Sequence, residues 1–358
     1  MAPILMKGNE AIGEAAIIAG CRFYFGYPIT PQNELPAYMS LRLPKVGGTF
    51  LQAESEVAAI NMVFGASAAG ARVMTSSSSP GISLKMEGIS YMAGAELPAV
   101  VVNMMRGGPG LGNIAGAQGD YFQAVKGGGH GDYHSIVLAP SGVQELADLT
   151  VKAFDLADRY RIVVILLGDG FIGQMSEPII LPQPSGLVFD KSGWSLAGAK
   201  DRDTHHIVSL RLNPEDALEK LNIRLQEKYR EIEGKETLFE ELAVHPDADA
   251  RVDGADFLLV GFGLSARICR SAVSALRKSG IKAGLFRPIT LWPFPRAPLA
   301  AAAAGRKKVL VVEMNAGQMV EDVRLAIGGA APVDFYGTMG GITPQVDAIV
   351  ERIKAYAR

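Results

Sequence analysis

Cysteine is nearly absent from this 358-residue chain, which carries two, Cys21 and Cys269. They lie far apart, each in a predicted helix, so a disulfide framework is not expected and a reducing cytoplasm is. A cubane iron–sulfur cluster normally takes four thiolates, so this chain cannot hold one by itself. Charge of one sign is lacking too. A formal net charge of −2 argues against a nucleic-acid or membrane-surface protein, since those usually show a basic face. Long apolar runs are missing as well: Ile162–Leu167 is far too short to span a bilayer. The first residues show no basic stretch leading into an apolar one, so no signal peptide is expected. What the chain does have is core-forming material. Hydrophobic residues make up 48% and charged residues 20%, enough for two ordinary domains or one large α/β unit.

The first half alternates helices with short apolar strands. Helical spacing runs over Asn9–Gly20, Ser55–Gly70 and Ser141–Tyr160; strands are predicted at Phe23–Gly26, Arg72–Thr75, Ala99–Met104, Ile136–Leu138 and Ile162–Leu167. Such alternation implies a mostly parallel sheet covered on both faces. After Pro182 the pattern breaks into Pro, Gly, Ser and charge, read as a linker or excursion. Within it Pro214–Glu233 forms an amphipathic helix, with Leu218, Leu221, Leu225, Tyr229 and Ile232 on one face. That face suits a domain surface or a subunit interface. A second α/β unit follows from Asp256, with strands at Phe257–Val260, Lys282–Phe286 and Val309–Glu313 and helices at Ser265–Ser279 and Gln318–Ile327. The expected division is 1–182, 183–253 and 254–358.

Several loops carry residues suited to chemistry. Tyr27–Glu34 (YPITPQNE) follows a strand directly, and prolines 28 and 31 fix the backbone around Ile29 and Thr30. Ligands of open α/β sheets usually bind at that carboxyl edge; the plainer reading has Thr30 capping the next helix. Glu56, in Gln52–Glu56 (QAESE), opens a small-residue helix. It is either an ordinary dipole partner or a desolvated acid able to share a proton with a ligand. Thr75–Gly81 (TSSSSPG) offers hydroxyls and amides at a helix start, or simply a cap at Ser79. Arg106, in Asn103–Gly112 (NMMRGGPGLG), ends an apolar strand among glycines. It suits a carboxylate ligand or a structural salt bridge. His130 lies in the glycine loop Lys126–Tyr133 (KGGGHGDY), and bonding to backbone is its favoured role.

Two motifs mislead. Gly168-Asp169-Gly170 begins like a diphosphate–magnesium motif, but the first asparagine after Asp169 is Asn213, well out of range for the second metal ligand. Gly261–Ala266 (GFGLSA) matches GxGxxA between strand and helix. The next strand, however, runs into Arg287 and Pro288 rather than the acid that a dinucleotide ribose needs.

In order, YPITPQNE, QAESEVAA, TSSSSPGISLKMEG, NMMRGGPGLG, KGGGHGDY, GDGFIGQMSEP, RPITLWPFP and VVEMNAGQMVEDV resemble the α subunit of 2-oxoacid:ferredoxin oxidoreductases over nearly the whole chain. The branched-chain (3-methyl-2-oxobutanoate) type is the most similar, and the 2-oxoglutarate type the nearest alternative. The resemblance implies a thiamine-diphosphate-binding α/β fold of the pyrimidine type, followed by a transketolase C-terminal-like domain. It implies that a β subunit shares the cofactor and binds its diphosphate and Mg2+. A γ subunit and a ferredoxin-like δ subunit are the further partners, with the iron–sulfur clusters placed off this chain. The substrates are a 2-oxoacid and coenzyme A, and electrons pass to ferredoxin. By position, Glu56 matches the glutamate that bonds N1′ of the aminopyrimidine and so helps remove the thiazolium C2 proton. Thr30 and Arg106 match the groups that bind the substrate carboxylate, and Pro28, Ile29 and Ser79 fall among the cofactor-binding positions. No metal ligand is expected on this chain. Two departures stand out: Asn61 replaces an expected glycine, and Glu54 competes with Glu56 for the pyrimidine. An NADP-dependent dehydrogenase built on GFGLSA and a non-catalytic assembly subunit are the other readings.

Overall fold

The computed structural model describes residues 2–200, 202–245 and 254–358. The chain opens with β1 (Ile4–Lys7), α1 (Gly8–Ile18), β2 (Phe23–Gly26), α2 (Glu34–Arg42), β3 (Thr49–Gln52), α3 (Glu56–Ala68) and β4 (Val73–Ser77). It continues through α4 (Ser79–Ala95), β5 (Ala99–Met105), α5 (Tyr121–Val125), β6 (Ile136–Leu138), α6 (Val143–Tyr160) and β7 (Val163–Asp169). Then come α7 (Gly170–Gln174), β8 (Ser176–Ile179), α8 (Ala217–Lys235) and β9 (Phe239–Leu242). The last stretch holds β10 (Phe257–Val260), α9 (Gly263–Lys278), β11 (Ala283–Pro288), β12 (Thr290–Trp292), α10 (Arg296–Ala303), β13 (Lys308–Glu313), α11 (Met319–Ile327), β14 (Val333–Gly337) and α12 (Val346–Ala357).

A seven-stranded sheet of order β12-β6-β7-β5-β4-β2-β3 organises the first unit. Six of its strands are parallel, and β12 runs antiparallel at the edge. Strands β5 and β7 are buried along their whole length. That is why they read as continuous apolar runs rather than alternating ones. From β2 the chain steps outward to β3, then returns past β2 to β4 and moves the other way. The carboxyl ends of β2 and β4 therefore flank a topological switch point, where loops leave in opposite directions and open a crevice.

The second sheet has the order β14-β13-β10-β11-β9, with β9 antiparallel at its edge. Chain crosses between the units twice: β9 from the middle segment joins the second sheet, while β12 from the last segment joins the first. Helix α8 packs on the first unit. Leu221, Leu225, Tyr229 and Ile232 are buried, Tyr229 meets Trp292 edge-on, and Arg224 and Lys228 both pair with Glu96. Leu218, in the first turn of the helix, departs from the predicted stripe, being half exposed. Cys21 is likewise not helical: it follows α1 in the turn to β2, fully buried. Among the described residues no helix is long and apolar enough to cross a membrane.

Asp169 links the units. Its carboxylate accepts the amides of Phe171 and Ile172 at 3.1 Å, capping α7, and that of Leu264 at 3.4 Å. Burial nevertheless pushes its pKa up from 3.8 to about 6, outweighing the three donors. The folded chain thus holds this proton more firmly than the unfolded one. The associated stability is full below about pH 4 and lost as pH rises through 6. Asp169→Asn keeps an acceptor for the Phe171 and Ile172 amides, gives up only the long Leu264 contact on the other oxygen, and carries no titratable proton. It should flatten the pH dependence of the urea midpoint between pH 4 and 6 and add on the order of 2 kcal/mol at pH 7. A variant as pH-dependent as the parent across that interval contradicts this account.

Candidate cofactor and substrate site

The switch-point crevice collects most of the residues singled out in the sequence. The loop after β2 is fastened from behind: Asn9 Nδ2 donates to the Pro31 carbonyl at 3.0 Å and to Glu34 at 2.9 Å. Thr30 does not cap α2. Its hydroxyl oxygen accepts from Asn33 Nδ2 at 3.2 Å, while its carbonyl accepts from Arg106 Nη1 at 2.9 Å. Arg106 also donates through Nη2 to the Leu111 carbonyl at 3.0 Å. Among the described residues no carboxylate pairs with its guanidinium, and its Nε is buried without a partner. The structural salt bridge is therefore not what this arginine makes. Thr30 and Arg106 stand together, with guanidinium N–H groups still uncommitted.

Ser79 is the first residue of α4 rather than its cap. Its hydroxyl donates to Asp120 at 2.6 Å and accepts the Arg106 amide at 3.0 Å. Asn103 completes this knot, accepting the Ser79 amide at 3.2 Å and donating to Asp120 at 2.9 Å. Burial raises the Asp120 carboxyl above its ordinary value, while the two donors pull it back down. Asp120 was not foreseen, because its role arises from three segments meeting. The knot also borders a cleft of about 610 Å³ between the two units, lined by Gly107, Pro109, Asp120, Asn315, Gln318 and Met339.

Glu56 packs against the first turn of α4. Capped at Ser55, whose hydroxyl accepts the Ala58 amide at 3.2 Å, α3 begins with this acid 6% exposed. Glu54, two residues earlier, is exposed. Gly81 makes the close approach possible: a Cβ there would lie 2.6 Å from Glu56 Oε1 and 2.1 Å from Ser77 Oγ. Beside the acid, Ser77 Oγ and Ser78 Oγ are buried without partners. This polar notch, two unpaired hydroxyls beside a slightly exposed acid, suits a ligand that brings its own donors and acceptors. Of the other cofactor-side candidates, Pro28 is exposed and Ile29 half-buried, so both border the crevice mouth. Asn61 is exposed and bonds back to the Val57 carbonyl at 2.8 Å, leaving the notch untouched. His130 lies apart, its ring exposed against Tyr91 and its carbonyl accepting from Ser90.

The dinucleotide-like motif is filled from within. Gln118 donates to the Phe262 carbonyl at 2.8 Å and accepts from Ser265 Oγ at 2.7 Å, and the Asp169 carboxylate sits at the Leu264 amide. An acid at the start of α9 is the opposite of what a pyrophosphate requires. Arg287 is held by Glu145 and Glu240, each at 2.8 Å, so it offers no free fork for a 2′-phosphate.

Comparison with known proteins gives the family. The family described as pyruvate flavodoxin/ferredoxin oxidoreductase, thiamine diphosphate-binding, matches residues 14–232, and pyruvate:ferredoxin oxidoreductase core domain II matches 255–349. The ketoisovalerate oxidoreductase subunit VorB of Methanothermobacter thermautotrophicus is 49% identical over 100% of this chain and 99% of its own length. The 2-oxoglutarate synthase subunit KorA of Methanothermobacter marburgensis is 36% identical, with 97% of each chain covered. Among solved structures, the 2-oxoglutarate:ferredoxin oxidoreductase from Magnetococcus marinus superposes with a TM-score of 0.89 at 31% identity, covering 100% of this chain and 66% of that one. The α/β fold class expected from the sequence holds. The chain belongs to the thiamine-diphosphate-binding 2-oxoacid:ferredoxin oxidoreductase family, as a subunit of a multi-subunit oxidoreductase.

Proposed function

We propose that this chain is the α subunit of a 3-methyl-2-oxobutanoate:ferredoxin oxidoreductase, carrying the pyrimidine half of a thiamine diphosphate site that a β subunit completes. The observation that carries the split is the Glu56 notch, a buried acid rimmed by the exposed apolar side chains Leu51, Val57 and Leu84. Such a rim on a working face calls for a covering partner. The lack of an asparagine in range after Asp169 supports placing the diphosphate and Mg2+ on that partner. Two buried thiols, Cys21 and Cys269, are too few for a cubane cluster, which supports placing the iron–sulfur clusters on a γ or ferredoxin-like δ subunit, and they suit a cytoplasmic protein. Greater likeness to the ketoisovalerate relative, 49% against 36% for the 2-oxoglutarate one, favours a branched-chain substrate. The proposed units are 1–182 for the cofactor half, 183–253 for the excursion with α8, and 254–358 for the assembly domain.

Thiamine diphosphate, when bound, supplies the nucleophilic carbon and the electron sink for decarboxylation, with acyl transfer to coenzyme A and electrons leaving for ferredoxin. The work of this chain is narrower. Glu56 would hold a proton at the pyrimidine N1′. Arg106 and the Thr30 hydroxyl fix the substrate carboxylate, one by charge and the other by a hydrogen bond, in a pocket that closure dries. Ser79 ties Asp120 to the Arg106 backbone, and Pro28 and Ile29 wall the crevice mouth.

Co-purification with the partner subunits followed by turnover on a panel of 2-oxoacids tests the assignment. The expected order is 3-methyl-2-oxobutanoate ahead of 2-oxoglutarate, and the reverse order rejects the branched-chain reading. Titrated alone with thiamine diphosphate and Mg2+, the chain should show no tight binding until the β subunit is added. Tight binding and decarboxylation by the lone chain would refute the split site.

A further inference from the structure

Helices α3 and α4 cross with one face of α4 turned on α3, and three successive turns of that face do different things. At Gly81 the Glu56 carboxyl packs against bare backbone. At Lys85 the ammonium donates to the Glu56 carbonyl at 3.4 Å. At Gly88 a Cβ would lie 2.6 Å from the Ile60 side chain, so the helices touch closely there. Lys85 sits between these two contacts with no surface exposed, ammonium included.

We propose that Lys85 is a positioning residue for Glu56, holding the first turn of α3 and placing a fixed cation behind the acid without touching substrate; the proposal rests on the assignment of Glu56 given above. Stability does not explain a lysine here. Burying an ammonium costs several kcal/mol, and its one long bond among the described residues, to a carbonyl, does not repay it. Methionine would fill the same slot at lower cost. Burial pushes the lysine pKa down to about 8, with the Glu56 charge opposing that fall, so the group is still cationic at neutral pH. A cation buried behind an acid that exchanges a proton is an arrangement found where charge has to be tuned.

Lys85→Met, Lys85→Arg, Glu56→Gln and the Glu56→Gln/Lys85→Met double variant, each in the assembled complex, provide the test. Lys85→Met should assemble normally, with a thermal midpoint at or above that of the parent. Its affinity for thiamine diphosphate with Mg2+, measured by calorimetric titration, should weaken at least tenfold. Its kcat should fall at least tenfold, with the KM for the oxoacid within twofold. Lys85→Arg should recover most of both losses, and the double variant should bind and turn over no worse than Glu56→Gln by more than twofold. Cofactor affinity and kcat within twofold of the parent in Lys85→Met would overturn the proposal. So would failure of both Lys85→Met and Lys85→Arg to assemble, which would make Lys85 a folding residue. Should Glu56→Gln bind the cofactor and turn over like the parent, the assignment of Glu56 fails. Should Glu56→Gln be crippled while Lys85→Met is not, only the role of Lys85 falls.

Discussion

Glu56→Gln is expected to lower turnover of the assembled complex by about 10²–10⁴-fold, the range a tuned acid/base contributes, while leaving the fold intact. Glutamine has nearly the same shape, so the contact against Gly81 survives. What it loses is the capacity to carry a charge and pass a proton. The carboxylate makes no hydrogen bond within the described residues, and the Lys85 ammonium, which loses the neighbouring charge, keeps its bond to the Glu56 backbone carbonyl. Circular dichroism and the thermal midpoint should therefore match the parent while kcat collapses. Glu54→Gln is the internal control: its side chain is exposed, and turnover should stay within about twofold, as for most surface changes. Parental activity in Glu56→Gln would remove the acid from the chemistry. Equal losses in both variants would assign the effect to charge on this face rather than to the buried position.

The central parallel strands were readable because burial on both faces leaves an unbroken apolar signature. Ala99–Met104 and Ile162–Leu167 were expected, and β5 and β7 lie over them. Edge strands leave no such mark. β12 is three residues long and β1 pairs with the equally short β8; each depends on a partner distant in sequence rather than on its own pattern. The candidate site divides the same way. Glu56, Thr30 and Arg106 sit in local motifs at strand ends, where their residue types already suggest ligand chemistry. Asp120 and Gln118 do not, since each acquires its role by tertiary docking: Asp120 beneath Ser79 and Asn103, Gln118 between Phe262, Ser265 and Met314. Lys85 left a faint signal, a lysine at i+4 and a glycine at i+7 from Gly81 within an otherwise apolar, small-residue helix face. Its meaning depends on α3 crossing at that point. The VVEMNAGQMVEDV segment proves structural in this chain: Glu313 caps α11 through the Met319 and Val320 amides, and Asp322 receives Tyr121 and Lys126.

Arg106→Met is expected to raise the KM for the 2-oxoacid about 10²-fold, with a smaller fall in kcat. Truncating one partner of a desolvated, hydrogen-bonded charge pair costs about 2–5 kcal/mol, much of it from leaving the other charge unpaired. Arg106→Lys keeps the charge but loses the planar fork, so an intermediate rise of about tenfold is expected. The arginine also holds the Thr30 and Leu111 carbonyls, and a raised KM alone would not separate binding from loop support. Discrimination between the 2-oxoacid and its neutral 2-oxoamide does separate them. A guanidinium that binds the carboxylate makes the parent favour the acid strongly, and Arg106→Met should erase most of that preference while leaving the KM for coenzyme A within twofold. If Arg106 merely braces the loops, acid and amide will weaken together and their ratio will stay where the parent set it.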